Sequence, residues 1–399
     1  MQGIIQAISC FKATNYSSPS LTNMKKTTII ILSIMVLLTV IAGVLVVQGW
    51  HKPLGTTIDM PTRTPVQKTE TKAVVSTPSA ELSDQNLVTV TVEPTKSPQP
   101  TEPKPVCGGP ALMYLLGIGA DNDHEDYLYG LADVIRVARV DFVNTKVTVL
   151  TIPRDLWVEF PDLIDKYAET VTHGKLNQAY LYGGPGMGYY TGPGGGPGLL
   201  ARTLAHNYGL YVDHYGAVNM TAFVKIVDTL GGIDLYLEQD WDGTPIDDNT
   251  EDMGYFNAGQ HHMSGEEALR FSRIRKRYST MARENNQTLV LCAIKDKVLS
   301  PAVIGSIPQL INSLIGEIQT DLTPAQISQL TCLLPKLGKD DLQFVSFPDE
   351  MMVSGREFDP NLGNTTFVWD IPKEDIQAFM RDFENDAIES SGGSGMSCP

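Results

Sequence analysis

The chain has 399 residues, 42% of them hydrophobic, and a formal net charge of −16. This composition excludes a wholly disordered protein, and the length allows one large domain or two ordinary ones. Residues 1–106 carry nine of the 30 basic and six of the 46 acidic residues, which leaves 21 basic and 40 acidic residues in 107–399. So acidic a segment would repel a phosphate backbone, and we therefore expect no nucleic-acid partner.

Residues 27–47 carry no charge and follow Lys25 and Lys26. A helix of this length spans about 31 Å, close to one bilayer core, and the two lysines keep its N-terminus in the cytoplasm. No small-residue cleavage site or lipoprotein cysteine follows, which favours an anchor over a cleaved signal peptide. We predict a transmembrane anchor over 27–49, a cytoplasmic segment over 1–26 with Met24 as the candidate true start, and an extracytoplasmic remainder.

The next segment, residues 50–106, is rich in Thr and Pro and has almost no aromatic residues. Such a composition cannot bury a core, so we predict a disordered stalk. The folded domain then covers 107–388, and the Ser- and Gly-rich residues 389–399 form a flexible tail. Nine Gly and three Pro in 183–198 predict a surface loop, or alternatively a mobile lid over a site.

Strand and helix patterns alternate along the predicted domain. Apolar runs predict strands at 111–118, 134–143, 146–152, 214–219, 233–237 and 342–347. Amphipathic periodicity and capping residues predict helices at 199–207, 221–230, 264–272, 282–299, 307–318 and 324–334. We therefore expect an α/β fold with helices on both faces of a central sheet.

Four cysteines would lie in the extracytoplasmic part: Cys107, Cys292, Cys332 and Cys398. In an oxidising compartment they could form two disulfides, with three possible pairings. We favour Cys292–Cys332, because both residues fall in predicted helices.

Six cations fall within 14 positions, with no acid among them: Arg270, Arg273, Arg275, Lys276, Arg277 and Arg283. Cations at a helix C-terminus are the ordinary explanation for such a run. Self-repulsion without local acids favours instead a bound polyanion such as a pyrophosphate.

Three positions at predicted strand ends could act with this cluster, because ligands of α/β sheets collect there. Arg154 follows a strand and is either a phosphate ligand or the ion-pair partner of Asp155. Asp121 ends the first strand and Asp133 opens the second. The two carboxylates could hold one Mg²⁺ jointly with phosphate oxygens, or they could be turn residues.

Nine short motifs follow one another along residues 112–345. They are Leu115–Asp121; Asp133; Thr151–Asp155; Gly174–Tyr180 with Gly183-Gly184; Val218–Ile233; Gly259-Gln260 with Ser264–Leu269; Arg273–Arg275; Arg283 with Gln287; and Thr320–Thr323. Each alone is unspecific, but their order resembles that of the LytR-CpsA-Psr family of cell-envelope phosphotransferases.

This resemblance implies an α/β/α sandwich with a central mixed sheet and a hydrophobic pocket for a lipid tail. It implies transfer of a glycopolymer from a polyprenyl-pyrophosphate carrier to peptidoglycan or another envelope acceptor through a phosphodiester. By matched position, Asp121 and Asp133 would hold Mg²⁺ or Mn²⁺. The residues expected to surround the pyrophosphate or bind substrate are Arg154, Lys175, Asn177, Arg273, Arg275, Arg283 and Gln287.

The chain departs from the family pattern at three positions. Leu131 and Asn286 stand where many members have Arg, and Thr280 stands where many have an Asp that is a candidate general base. Glu284 is the nearest acid to that position. Two alternative functions therefore stay open, a polyprenyl-pyrophosphate hydrolase and a non-catalytic protein that binds lipid or glycan.

Overall fold

The computed structural model describes residues 49–60, 104–123, 127, 129–163, 171–300, 303, 316–360, 362–388 and 394–398. Most of the predicted membrane anchor and stalk, and nearly all of the predicted helix 307–318, lie outside the described residues. Within these described ranges, no helix is long and apolar enough to cross a membrane.

Fifteen strands are assigned within the described residues. They are β1 (Leu112–Ala120), β2 (Ala132–Asp141), β3 (Lys146–Thr151), β4 (Trp157–Glu159), β5 (His173–Lys175), β6 (His214–Asn219), β7 (Ile233–Leu237), β8 (Trp241–Asp242), β9 (Tyr255–Phe256), β10 (Gly259–Met263), β11 (Gln319–Thr320), β12 (Leu342–Ser346), β13 (Val353–Asp359), β14 (Asn364–Asp370) and β15 (Ser394–Ser397). The helices that matter here are α1 (Leu176–Gly183), α2 (Gly195–Tyr208), α3 (Met220–Thr229), α4 (Gly265–Arg273), α5 (Thr280–Leu299), α6 (Pro324–Leu333) and α7 (Lys373–Glu384).

The central sheet has seven strands in the order β11-β6-β1-β2-β3-β12-β15. Strands β1 and β6 pair in parallel, as do β3 and β12, whereas β2 is antiparallel to both of its neighbours. The predicted α/β fold with a central mixed sheet is confirmed. Because β1, β3, β6 and β12 run the same way, their carboxyl ends meet at one edge together with the start of β2.

Helices cover both faces of this sheet. On one face α1, α2 and α7 pack against alternate strand residues such as Leu116, Val137 and Leu150 in the main core. On the other face the cores are smaller and involve α3 to α6. The second layer therefore touches the sheet in patches and leaves space between them.

The glycine-rich segment is a loop over residues 184–194, as predicted, and it differs from the prediction at its end. Its last residues begin α2, and Gly196 and Gly198 are buried. A Cβ at Gly183 would lie 2.7 Å from the carbonyl oxygen of Gly195, and one at Gly196 would lie 2.7 Å from that of Tyr180. These glycines allow α1 and α2 to pack closely, and this tertiary contact outweighs the low helix propensity of glycine.

The tail and the disulfide pairing also differ from the predictions. The structure joins Cys107 to Cys332 and Cys292 to Cys398, so the predicted Cys292–Cys332 pairing is wrong. Residues Ser394–Ser397 pair with β12 at the edge of the sheet. Part of the segment predicted as a flexible tail is thus held by a backbone ladder and a covalent bond.

Residues 53–60, within the segment predicted as a stalk, contact the domain. The side chain of Ile58 is 1% exposed and belongs to the main core. Buried Asp321 accepts hydrogen bonds from the backbone N–H groups of Tyr215 (2.9 Å) and Ile58 (3.4 Å). The Thr320–Thr323 motif therefore has a structural role here, because it fastens this segment and β6 together.

We expect replacement of Cys107 or Cys332 by Ser to cost a similar free energy of unfolding, on the order of 2–4 kcal/mol, because either change removes the same cross-link. The Cys107→Ser/Cys332→Ser double variant should lose little more than either single variant. Peptide mapping of the unreduced protein should yield a fragment linking Cys107 to Cys332, and a Cys292–Cys332 fragment would contradict the pairing.

Candidate active site

The carboxyl edge of the sheet collects most of the predicted site residues. Asp121 follows β1, Asp133 is the second residue of β2, and Arg154 and Asp155 follow β3. The end of α4 and the first turns of α5 bring the basic cluster to the same edge, where Asp121, Asp133, Arg273, Arg275, Arg283 and Gln287 line one cavity. These residues therefore line one cavity, and their roles in binding and catalysis stay predictions.

Arg154 lies at the centre of an ion-pair network. Its guanidinium contacts Asp133 and also Asp155, the latter at 3.4 Å from Nε to Oδ2, while Lys175 Nζ lies 2.9 Å from Asp155 Oδ1. Burial opposes charge on Arg154, but Asp133 and Asp155 raise its pKa above the ordinary value. Burial likewise opposes charge on Asp155, and Arg154 and Lys175 hold its pKa below the ordinary value. Arg154 and Asp155 therefore carry opposite charges at neutral pH.

Arg283 lies beside this network and forms no salt bridge with a carboxylate among the described residues, although the charges of Asp133, Glu284 and Asp155 favour its protonated form. Its residue is 7% exposed, and no partner for its Nε is present among the described residues. Burial first, and then the charge of Arg154, lower the pKa of Arg283. A buried cation in this condition would be stabilised by an anionic ligand.

The rest of the basic cluster is only partly self-repelling. Arg273 forms a bidentate pair with Glu251, at 3.1 and 2.8 Å, and Arg277 Nε lies 3.0 Å from Asp242 Oδ2. These acids are distant in sequence, which is why the local pattern suggested unbalanced charge. Arg275 is exposed, and within the described part of the chain its guanidinium has no hydrogen bond or ion pair.

Asp121 and Asp133 are close enough to influence each other. Burial, and then the charge of Asp133, raise the pKa of Asp121, although its Oδ1 accepts the Leu131 N–H at 2.5 Å. Among the described residues, no group of three His, Cys, Asp or Glu side chains could hold a metal by itself. Two neighbouring carboxylates fit an ion such as Mg²⁺ that takes its other ligands from phosphate and water.

The first cavity has a volume of about 680 Å³ and lies between the sheet and helices α3 to α5. From the charged edge it follows β1 back to Leu115, about 20 Å along the strand. Its inner lining is apolar and includes Val149, Leu291, Leu334, Leu342 and Phe344. The shape and lining fit a ligand with an anionic head and a hydrocarbon tail.

Two glycines form part of the cavity floor. Gly117 and Gly216 face each other across the β1–β6 pair, and both line the cavity. A Cβ at Gly216 would have no atom within 4 Å, and one at Gly117 would reach only the Arg136 carbonyl oxygen at 3.7 Å. The absence of side chains here keeps the space open.

Arg136 is a cavity residue that the sequence analysis missed. It is buried in β2, and its guanidinium donates to Thr288 Oγ1 at 3.1 Å and to the Glu284 carbonyl at 3.2 Å. Burial lowers its pKa to about 10. Strand β2 carries two arginines, Arg136 and Arg139, and no signal in the sequence distinguished the one that lines the cavity.

A second cavity, of about 400 Å³, adjoins the first. Arg275, Lys276 and Arg283 line both, so the two cavities meet at these cations. The second cavity is further lined by Arg154, Asp155, Lys175, Tyr278 and Phe367. Phe367 had no signal in the sequence analysis.

Several predicted residues have other positions than expected. Asn177 is buried and lines neither cavity, but its backbone N–H donates to the Arg154 carbonyl at 3.1 Å. Asn286 is also buried away from both cavities, and Glu284 is buried with its pKa raised by burial. The side chain of Thr280, which stands where many family members have the candidate general base, lies outside the described part of the structure.

The model of the LytR_cpsA_psr family matches residues 93–382 of the chain. The chain belongs to the LytR-CpsA-Psr family. The regulatory protein MsrR of Staphylococcus aureus (strain COL) is 25% identical over 220 residues, which cover 54% of this chain and 59% of MsrR. The polyisoprenyl-teichoic acid–peptidoglycan teichoic acid transferase TagU of Bacillus anthracis (strain CDC 684 / NRRL 3495) is 27% identical over 218 residues, which cover 53% of this chain and 61% of TagU.

The crystal structure of B. subtilis TagV is similar in fold, with a TM-score of 0.52 and 22% identity, over 70% of this chain and 97% of TagV. At this identity the likeness supports the LytR-CpsA-Psr fold alone. The chain spans about three fifths of the length of the two curated relatives.

We expect the series Gly216→Ala, Gly216→Val and Gly216→Phe to fill the cavity progressively. Val and Phe favour strands, so the melting temperature should change little. Binding of a polyprenyl phosphate in detergent micelles, measured by isothermal titration calorimetry, should weaken at least about tenfold for Val and further for Phe, since the tail loses buried apolar surface. Equal affinity across the series would show that the tail does not lie on this floor.

Proposed function

We propose that this LytR-CpsA-Psr protein is a membrane-anchored extracytoplasmic phosphotransferase. It moves a glycopolymer from a polyprenyl-pyrophosphate carrier to peptidoglycan or another envelope acceptor. The transmembrane anchor predicted at 27–49 would place the domain outside the membrane. The name of TagU, which states a transfer of teichoic acid to peptidoglycan from a polyisoprenyl carrier, supports this choice of donor and acceptor.

The observation that carries the proposal is buried Arg283, whose Nε has no partner among the described residues. It lies where the apolar cavity meets the cationic edge. A polyprenyl pyrophosphate would place its tail in the first cavity and its two phosphates against Arg283, Arg275 and Arg154. Guanidinium groups suit this role because they bind phosphate oxygens bidentately and remain charged when partly buried.

In the proposed reaction an acceptor hydroxyl oxygen attacks the phosphorus that carries the glycan. The bond from that phosphorus to the bridging pyrophosphate oxygen breaks, and polyprenyl phosphate leaves with the electron pair. The hydroxyl proton passes to a carboxylate lining the site or to water. Transfer of this kind depends mainly on in-line positioning and on neutralising charge, and the arginines would supply both.

Asp121 and Asp133 would hold Mg²⁺ or Mn²⁺ when the pyrophosphate is present. The ion would neutralise charge on the phosphate oxygens, and it would relieve the repulsion between the two carboxylates. Arg154, which contacts Asp133, would keep that carboxylate oriented toward the site.

We predict that Arg275→Ala lowers the transfer rate about 30-fold, equivalent to about 2 kcal/mol of transition-state stabilisation, without changing thermal stability. Arg277→Ala is the matched control, because Arg277 lies in the same cluster but lines neither cavity and pairs with Asp242. The assay follows a labelled polyprenyl-pyrophosphate glycan supplied with peptidoglycan. Equal rates for the two variants would exclude Arg275 from the site.

The products of the same assay separate the candidate functions. Label joined to peptidoglycan indicates the transferase, and free glycan phosphate formed without acceptor indicates a hydrolase. Tight binding without turnover indicates a non-catalytic protein.

We predict that a chelator abolishes turnover and that Mg²⁺ or Mn²⁺ restores it. Asp121→Asn should prevent this rescue while leaving the affinity for polyprenyl phosphate within about twofold, because the tail binds in the apolar part of the cavity. Asp228→Asn serves as a control, since Asp228 lies outside both cavities. Full activity of Asp121→Asn in the presence of chelator would contradict a metal at this position.

A further inference from the structure

The β13–β14 hairpin carries an unusual row of aromatic side chains. Residues directly opposite in an antiparallel pair point to the same side, and the pairs here are Ser354 with Trp369, Arg356 with Phe367, and Phe358 with Thr365. Phe358, Phe367 and Trp369 therefore share one face, together with Arg356. We call these three aromatic residues the aromatic row.

Much of this row is accessible to solvent. Phe358 is 60% exposed and Phe367 is 39% exposed, while Trp369 packs against the main core and contacts Phe367 edge-on at 5.0 Å between ring centroids. Large exposed aromatics that follow one another along a surface are typical of interaction sites rather than of ordinary solvated faces.

The hairpin is fixed to the candidate active site. The backbone N–H of Trp369 donates to the Asp155 carbonyl at 2.9 Å, and Leu156 forms a β-bridge with Trp369. At the other end of β13, buried Asp359 accepts a hydrogen bond of 2.6 Å from Gln178 Nε2 in α1. These contacts hold Phe367 in the wall of the second cavity, beside Arg154 and Asp155.

We propose, on the basis of the transferase function above, that the second cavity and the aromatic row bind the glycan strand of the acceptor. The first cavity would hold the leaving polyprenyl phosphate, and the cations shared by the two cavities would hold the pyrophosphate. An in-line acceptor must then approach from the side away from the tail, which is the side of the second cavity.

The chemistry of this surface favours a carbohydrate. Sugar rings present an apolar C–H face that packs on aromatic rings, and the row offers such rings in succession. Lys175 and Arg356 can donate hydrogen bonds to the hydroxyl and carboxylate groups of a peptidoglycan strand. The polar second cavity, with one aromatic wall, differs in this respect from the apolar first cavity.

The test uses the full chain in detergent micelles with a labelled polyprenyl-pyrophosphate donor and soluble uncrosslinked peptidoglycan strands. Phe367→Ala and Phe358→Ala should each raise the KM for the strands about tenfold and leave the KM for the donor unchanged. Phe367→Tyr should keep the wild-type KM, because the aromatic ring is retained. Thermal stability should change little, since Phe358 is 60% exposed and Phe367 also lies at the surface.

Two variants serve as controls. Val353→Ala alters the same hairpin on its opposite face, where Val353 is 57% exposed, and Tyr236→Ala removes an aromatic residue of 63% exposure on β7. Neither should change the KM for the strands. Unchanged acceptor KM values in both Phe→Ala variants, with donor turnover intact, would overturn the acceptor site but not the transferase. Failure of the wild-type chain to transfer the donor to any strand would overturn the function itself.

Discussion

One buried and one partly buried guanidinium group at one edge of the sheet, those of Arg283 and Arg154, are the constraint on which the site depends. Arg154 is compensated by Asp133 and Asp155, and this arrangement requires the ends of β2 and β3 to meet. Arg283 is brought to the same point by α5, and among the described residues it forms no salt bridge with a carboxylate. Removing charge from water is costly unless a partner replaces the lost hydration. An anionic ligand such as the proposed pyrophosphate would supply that partner.

The apolar cavity depends on the absence of side chains at two positions of the sheet. Gly117 and Gly216 remove side chains from the middle of the floor, and the helices of that layer contact the sheet in separate patches. Arg136 adds a cation to this interior, and Thr288 and the Glu284 carbonyl satisfy part of its hydrogen-bonding capacity. An amphiphilic ligand in this cavity would contact cations at the carboxyl edge of the sheet and apolar residues further back along β1.

Local signals in the sequence predicted much of the fold. The box formed by Ser264 and Glu267 begins α4, and Gly209 ends α2 with a positive φ of 70°. Long-range features had no such signal. The Cys292–Cys398 pairing and the Glu251 partner of Arg273 depend on residues distant in sequence, and the close approach of α1 to α2 depends on tertiary packing at their glycines. Likewise, Lys175 and Gln287 were identified through their motifs, whereas Phe367 reaches the site only because Trp369 fastens its strand to Asp155.

The Cys292–Cys398 bond makes the position of α5 depend on the redox conditions of the compartment. Helix α5 carries Arg283 and Gln287 at its start and Cys292 further along, and the bond attaches this helix to β15, the last strand of the sheet. In a reducing environment α5 would keep its packing and the hydrogen bonds from Arg136 to Thr288 and to the Glu284 carbonyl, but it would lose this covalent attachment. Export of the chain and oxidation of its thiols would then be a maturation step that sets the phosphate-binding geometry, so that the protein becomes competent only after it has left the cytoplasm.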